Sequence, residues 1–265
     1  MDPEATVFVL GVILARAGSK GLPGKCVRPL LGRPLIEYTL DHAVRAARLA
    51  AVVVTTDCER VKEVARARGL PVIDRPAHLA ADDSAVDAAT RHAVTTFERN
   101  SGLRVDAIVV LYANIPVRAD GIIDRVMHCL VDTGADSVRT VTPVGKHHPD
   151  WMFRLDADRL EPCRPNSIHR GQDLEPLFEH DGAVVAVTRQ ALFEAENAPH
   201  DPHAFFGADR RAVVQCPHDT VDVDEPIDLL VAEAILHGRP QRQGVIIDER
   251  PSATSVGPHE AEVSA

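Results

Sequence analysis

"VFVLGVILARAGSKGLPGK", Val7 to Lys25, joins a nearly continuous apolar run to a loop with three glycines and three cations, Arg16, Lys20 and Lys25. An apolar run without polar alternation reads as a strand buried on both faces, as in parallel sheets covered by helices. Glycines at the carboxyl end of such a strand let backbone N–H groups approach an anion, at the place where α/β sheets bind ligands. The chain as a whole carries a net charge of −10, so this concentration of cations calls for a local reason. A surface turn alone would need neither three cations nor three glycines.

Working outward, the same strand-then-helix rhythm repeats. Pro34 stands where a first helical residue would, and Leu35, Ile36, Leu40, Ala43, Val44 and Ala47 follow at helical spacing. Ala51 to Thr55 reads as a second buried strand, Glu59 to Arg68 as a helix stopped by Gly69, and Val72-Ile73 as a minor strand. Asp83 or Ser84 is expected to cap a helix reaching about Arg99. Ala107 to Tyr112, Asp120 to Val131 and Ser137 to Val141 continue as strand, helix, strand. The alternation predicts an α/β fold with a doubly wound, mostly parallel sheet. Between Pro143 and His180 the periodicity lapses into Pro, Arg, His and Asp, which predicts an inserted arm at 143–180. Strand character returns at Ala183 to Val187 and Thr220 to Val223, and helix near Arg189 to Glu196 and from Glu225 to Leu236. The expected organisation is one domain over 1–240 and a flexible tail over 241–265.

Bulk properties narrow the function. The chain has 265 residues, 45% hydrophobic and 26% charged, enough for one large domain with a substantial core. Its acidic excess argues against nucleic-acid or anionic-membrane partners. No apolar run approaches the ~20 residues of a membrane span. Met1 to Thr6 lacks a basic n-region, so no signal peptide is expected and the cytoplasm is the expected compartment. The five cysteines are scattered without a CxxC pair, which predicts neither a disulfide framework nor a zinc site.

Two common phosphate motifs fail by counting. A P-loop needs four residues between its first glycine and the Gly-Lys pair, but five separate Gly18 from Gly24-Lys25, and Cys26 follows. Gly18, Gly21 and Gly24 also miss the G-x-G-x-x-G spacing of a dinucleotide loop. At the other end of the chain, Asp222 and Asp224 in "VDVD" stand two apart, so on a strand both carboxylates face one side. Carboxylates aimed together repel, and a bound Mg2+ relieves the repulsion while bridging phosphate oxygens. Asp224 alone could instead be an N-cap for the following helix, which leaves Asp222 without a purpose.

The opening "ILARAGSKGLPGK", running into "GRPLIEYTL", resembles the first motif of the acylneuraminate cytidylyltransferases, the CMP-sialic acid synthetases. "TTD" (55–57), "RPAHLAADDS" (75–84), "PVR" (116–118), "RGQDLEPLFEHDGAVVAV" (170–187) and "DTVDVDEPIDLLVAE" (219–233) follow in that family's order. The resemblance covers residues 6 to 237. It implies transfer of CMP from CTP to the anomeric hydroxyl of a 2-keto sugar acid with release of pyrophosphate, Mg2+ as cofactor and a homodimer. By the same resemblance, Arg16 and Lys25 are the catalytic cations, and Ala15, Gly18, Ser19, Lys20 and Gly21 complete the phosphate cradle. Arg75 falls on the nucleotide side, with pairing to Asp74 or Glu63 as the alternative. Arg118 and Gln172 match sugar-side positions, with Arg170 lying beside Gln172 as a further candidate, and Asp222 and Asp224 match the metal ligands.

Tyr112 and Cys26 depart from the family's glutamine and asparagine, and Asn114 is the expected replacement contact. His147 and His148 lack metal spacing and are expected to be solvated. Trp151 and Phe153 alternate with polar neighbours, which suits a dimer arm. Two alternatives remain open: a CMP-KDO synthetase, and a nucleotide-binding relative without turnover.

Overall fold

The computed structural model describes residues 7–18, 21–198 and 200–242. Of the tail expected over 241–265, only residues 241 and 242 fall within that range, and their backbone continues the last helix. In chain order the strands are β1 (Val9–Leu14), β2 (Pro29–Leu30), β3 (Arg33–Pro34), β4 (Ala51–Thr56), β5 (Val72–Asp74), β6 (Ala107–Tyr112), β7 (Ser137–Pro143), β8 (Phe153–Asp156), β9 (Arg159–Pro162), β10 (Phe178–Thr188) and β11 (Arg210–Val214). The helices are α1 (Ile36–Arg45), α2 (Glu59–Ala67), α3 (Val86–Ser101), α4 (Ile122–Thr133), α5 (Arg189–Glu194) and α6 (Pro226–Arg242).

Seven strands form one sheet in the order β11-β7-β10-β6-β1-β4-β5. Within this sheet only β10 runs against its neighbours, and the other strand pairs are parallel. The strand period of two divides β1 between two cores. Val9 and Ile13 pack on one face with residues of α1, α2 and α4, while Leu10, Val12 and Leu14 pack on the other with residues of α3 and α5. A sheet covered on both faces is why the central strands read as unbroken apolar runs. Helices on both faces leave open the rim at the carboxyl ends of β1, β4 and β6, where sheets of this kind bind ligands.

Several expectations need correction. Thr220 to Val223 is not a ladder strand: it is an extended segment held by one bridge, Val117 to Val221, and by the Val223 N–H donating to the Asn114 carbonyl at 2.9 Å. The alternation survives, with Val221 and Val223 buried and Asp222 and Asp224 exposed. Neither Asp83 nor Ser84 caps α3; Ala85 holds the N-cap position and Ser84 Oγ donates to the His78 carbonyl at 2.7 Å. Inside the arm, β8 and β9 form a hairpin that the sequence reading missed. Its two-residue turn, Ala157-Asp158, carries no glycine, although Ala157 takes a φ of +54°. His148 is buried rather than solvated. Its Nδ1 accepts from the Asp150 N–H at 3.2 Å and its Nε2 lies 3.1 Å from the Glu175 carbonyl, which fixes the base of the arm.

Candidate active site

The loop after β1 turns across the carboxyl edge of the sheet. The Ala15 N–H donates to the Thr55 carbonyl at 3.2 Å, and the Ala17 N–H donates to Asp57 Oδ1 at 2.8 Å, so "TTD" fixes the first half of the loop. Gly24 takes a left-handed φ of +64° and starts the 3-10 turn Lys25–Val27. Gly21 lies against the acidic segment, where a Cβ would stand 2.7 Å from the Asp224 carbonyl oxygen. Only glycine allows that approach. Gly18 is exposed and nothing lies near its missing side chain. Ser19 and Lys20 lie outside the described residues.

Basic loop and acidic segment meet directly. Lys25 Nζ lies 2.5 Å from Asp224 Oδ1, across 199 residues of sequence. The Asp224 carboxylate is not the helix cap; Asp228 Oδ2 accepts from the N–H groups of Asp224 and Glu225, at 2.9 and 2.7 Å. Beside it, Asp222 Oδ1 accepts from the Asn114 amide. The residue as a whole is exposed, yet its carboxyl end, held by Asn114, is stripped of part of its water. That desolvation, then repulsion from Asp224, pushes the Asp222 carboxyl up to about 6, with Lys25 pulling the other way.

Next to this pair opens a cleft of about 230 Å³, lined by Arg16, Lys25, Cys26, Arg75, Tyr112 and Asn114 together with an apolar wall from Leu14, Leu79, Val86 and Ala89. Arg16 Nη1 lies 2.5 Å from Asp82 Oδ1. Arg75 is 9% exposed and donates through Nη2 to the Thr55 carbonyl at 2.8 Å, while its Nε has no hydrogen-bond partner among the described residues. The alternative partner Asp74 is engaged by Lys62 at 2.5 Å. Burial, opposed by Asp57, holds the Arg75 guanidinium below its ordinary value. Burial likewise raises the Tyr112 phenol, with Asp222 adding to it, and lifts the Cys26 thiol to about 11. A buried guanidinium with an idle donor, in a cleft walled on one side by carbon, suits an anionic ligand with a flat apolar part.

Three expected site residues stand elsewhere. Arg118 is fully buried; Nε donates to the Ala183 carbonyl at 2.7 Å, and its terminal nitrogens donate to Thr39 Oγ1, the Ile115 carbonyl and the Tyr112 carbonyl. It reaches no cleft here and instead braces the loop that carries Asn114. Arg170 and Gln172 are exposed on the arm, at the 3-10 turn Gly171–Asp173 beside Trp151, and do not line the cleft. Missed from sequence were Asp57, which holds the loop, and Asp82, which meets Arg16; both lay inside quoted motifs, where acid residues near cations were the available signal.

Among the described residues no three His, Cys, Asp or Glu side chains cluster closely enough to cage a metal. Two adjacent carboxylates, one of them reluctant to ionise without a counter-charge, nevertheless fit a hard dication that takes its other ligands from phosphate and water.

A doubly wound sheet with cations, carboxylates and an apolar wall at its carboxyl rim defines a nucleotide-binding α/β enzyme. The chain belongs to the cytidylyltransferase family, whose profile matches residues 10–150, and is a nucleotidyltransferase by class. It is 32% identical to a 3-deoxy-manno-octulosonate cytidylyltransferase of Bdellovibrio bacteriovorus, over 86% of this chain and 97% of that protein. It is 28% identical to a CMP-N,N'-diacetyllegionaminic acid synthase of Legionella pneumophila, over 86% of this chain and 96% of that one. An N-acylneuraminate cytidylyltransferase of Streptococcus agalactiae is 26% identical over 83% of this chain, which spans 51% of that protein's length. The fold is shared with a CMP:2-keto-3-deoxy-manno-octonic acid synthetase solved with CTP, at a TM-score of 0.66 and 20% identity, covering 88% of this chain and 99% of that one. No helix among the described residues is long and apolar enough to cross a membrane.

Proposed function

We propose that this enzyme transfers CMP from CTP to the anomeric hydroxyl of a nonulosonate-type 2-keto sugar acid. The hydroxyl oxygen attacks the α-phosphorus and gives up its proton to solvent, the bond from that phosphorus to the α–β bridging oxygen breaks, and pyrophosphate leaves. The meeting of Lys25 and Asp224 at one cleft, with Arg16 and Arg75 on its walls, carries this reading. Reactions of this kind depend on positioning and on neutralising charge as the leaving group departs. Arg16 offers a planar fork of donors to the leaving phosphates, and Lys25 a point charge. The idle Nε of Arg75 serves the nucleotide, and Tyr112 and Asn114 close the floor of the cleft. Asp222 and Asp224 would hold Mg2+, which supplies charge for the phosphate oxygens when bound.

Arg170 and Gln172 are assigned to the sugar acid through the arm. The hairpin exposes Phe153, Leu155 and Leu160, and Met152 beside it is also exposed, which suits a homodimer in which arms cross between subunits. Five unpaired cysteines suit a reducing cytoplasm. The test is pyrophosphate release from CTP across a panel of acids. Release with N-acetylneuraminate or a diacetyllegionaminate supports the nonulosonate reading. A second reading, favoured by the 32% identity to the Bdellovibrio protein, makes 3-deoxy-manno-octulosonate the acceptor, and release with that acid alone selects it. CTP binding with no release for any acid would reject both.

A further inference from the structure

The acidic segment is held from two sides by a single irregularity in β10. Pairing between β10 and β7 slips between His180 and Val185, and the slip turns Asp181, Gly182, Ala183 and Val184 out of the ladder. Gly182 takes a φ of +72°, and a Cβ there would stand 3.0 Å from Ile115 Cδ1, so the bulge packs tightly on the loop after β6.

From this bulge one line of bonds runs through Asp181. Its carboxylate accepts from Thr140 Oγ1 at 2.5 Å, from the Ala183 N–H at 2.9 Å and from Gln215 Nε2 at 2.6 Å. Gln215 is 4% exposed, and the same amide nitrogen donates to Thr220 Oγ1 at 3.1 Å, two residues before Asp222. A second line runs through the Ala183 carbonyl to Arg118, and from Arg118 to the carbonyls of Tyr112 and Ile115 on either side of Asn114. Asn114 then holds Asp222 through its amide and Val223 through its carbonyl.

We propose that Asp181 and Gln215 are positioning residues that set the direction of the Asp222–Asp224 carboxylate pair. A buried polar network contributes little net stability over an apolar replacement, but it fixes one arrangement, because each unmade bond costs the desolvation of its group. The segment has no ladder of its own and lies outside the sheet, so Thr220 at one end and Asn114 at its middle define where it runs. The consequence for metal binding rests on the functional reading above; the bracing itself does not.

Thr220→Val keeps the side-chain shape and removes the acceptor. Gln215→Leu removes both donations. Asp181→Asn keeps an oxygen for Thr140 and the Ala183 N–H, and Gln215 can turn its amide over to meet it. In Thr220→Val and Gln215→Leu, hydrogen exchange at the Val223 amide should speed up on the order of tenfold, the value of about one hydrogen bond. Mn2+ binding in the presence of CTP, read by electron paramagnetic resonance, should weaken by a similar factor. Asp181→Asn should stay close to the parent protein in both. If Gln215→Leu does not fold, Thr220→Val decides alone. A lower melting temperature with Val223 exchange unchanged overturns the proposal. Absence of Mn2+ binding in the parent protein removes the metal reading instead, and exchange at Val223 still decides the bracing.

Discussion

The rim of the sheet and the arm that leaves it are built on opposite plans. At the rim, contacts join residues far apart in sequence: Lys25 with Asp224, Arg16 with Asp82, Ala17 with Asp57, Asn114 with Asp222. In the arm, contacts are local, such as Trp151 Nε1 to the Ile168 carbonyl at 3.0 Å and the hairpin pairs of β8 and β9, and Phe153, Leu155 and Leu160 of the hairpin are exposed. A single chain therefore gathers the groups that suit a nucleotide, while Arg170 and Gln172 remain away from the cleft. The difference teaches that long-range contacts gather the cleft residues within one chain, while the arm holds Arg170 and Gln172 apart from them.

The largest effects should come from the rim. Asp222→Asn should lower turnover by about a thousandfold and abolish its Mg2+ response, as expected for a group that stabilises transition-state charge; steady-state rates across a Mg2+ titration check it. The same variant carries a stability signature. The native Asp222 carboxyl titrates at about 6 against an ordinary 3.8, so the folded protein keeps a proton that the unfolded chain releases. That contribution is fully present below pH 3.8 and is lost as the pH rises to about 6. Stability of the unliganded protein should fall over that window, and Asp222→Asn should flatten the fall in a thermal-denaturation series. Lys25→Ala follows, with turnover lower by about a hundredfold and little change in melting temperature, because a loop lysine adds little to a core. Equal losses in rate and in melting temperature would put Lys25 with the scaffold and blur the contrast.

These rim residues were also the most legible in sequence, for a physical reason. Unbroken apolar runs mark β1, β4 and β6, and the irregular segments at their carboxyl ends must then be the ligand edge. The alternation of Val221, Asp222, Val223 and Asp224 gave the right facing without the strand it was assigned to, since one bridge and one hydrogen bond impose the same period as a ladder. Strand direction was not legible: nothing in "AVVAV" distinguishes the antiparallel β10 from a parallel neighbour. Nor was the burial of Arg118, because the carbonyls that satisfy it come from Tyr112, Ile115 and Ala183, and backbone acceptors leave no trace in side-chain pattern. Asp181-Gly182 before an apolar run was a visible bulge signal, and its link to Gln215 needed three dimensions.

The arm should break differently. Leu155→Asp with Leu160→Asp places charges on exposed apolar positions of the hairpin. The pair should shift the protein to monomer in sedimentation velocity, lower turnover with the sugar acid by roughly tenfold or more, and leave CTP affinity unchanged. Loss of CTP affinity in the monomer would mean that the rim also needs the second subunit, and the two regions would no longer be separable.

The smallest effect tests how the rim is kept in order before a nucleotide arrives. Arg16 is held by Asp82 at 2.5 Å, with both side chains partly exposed at 35% and 43%, so one cation of the cleft already carries a carboxylate. A triphosphate must displace that carboxylate or share the guanidinium with it, and an exposed pair of this kind is worth at most about 1 kcal/mol. Asp82→Asn keeps the shape of the loop and removes the competing charge. CTP binding by calorimetry should therefore tighten by about two- to fivefold, most at low salt, where screening is weakest. Weaker binding would instead place Asp82 among the groups that receive the nucleotide, with Arg16 held by it in the bound state as well as the free one.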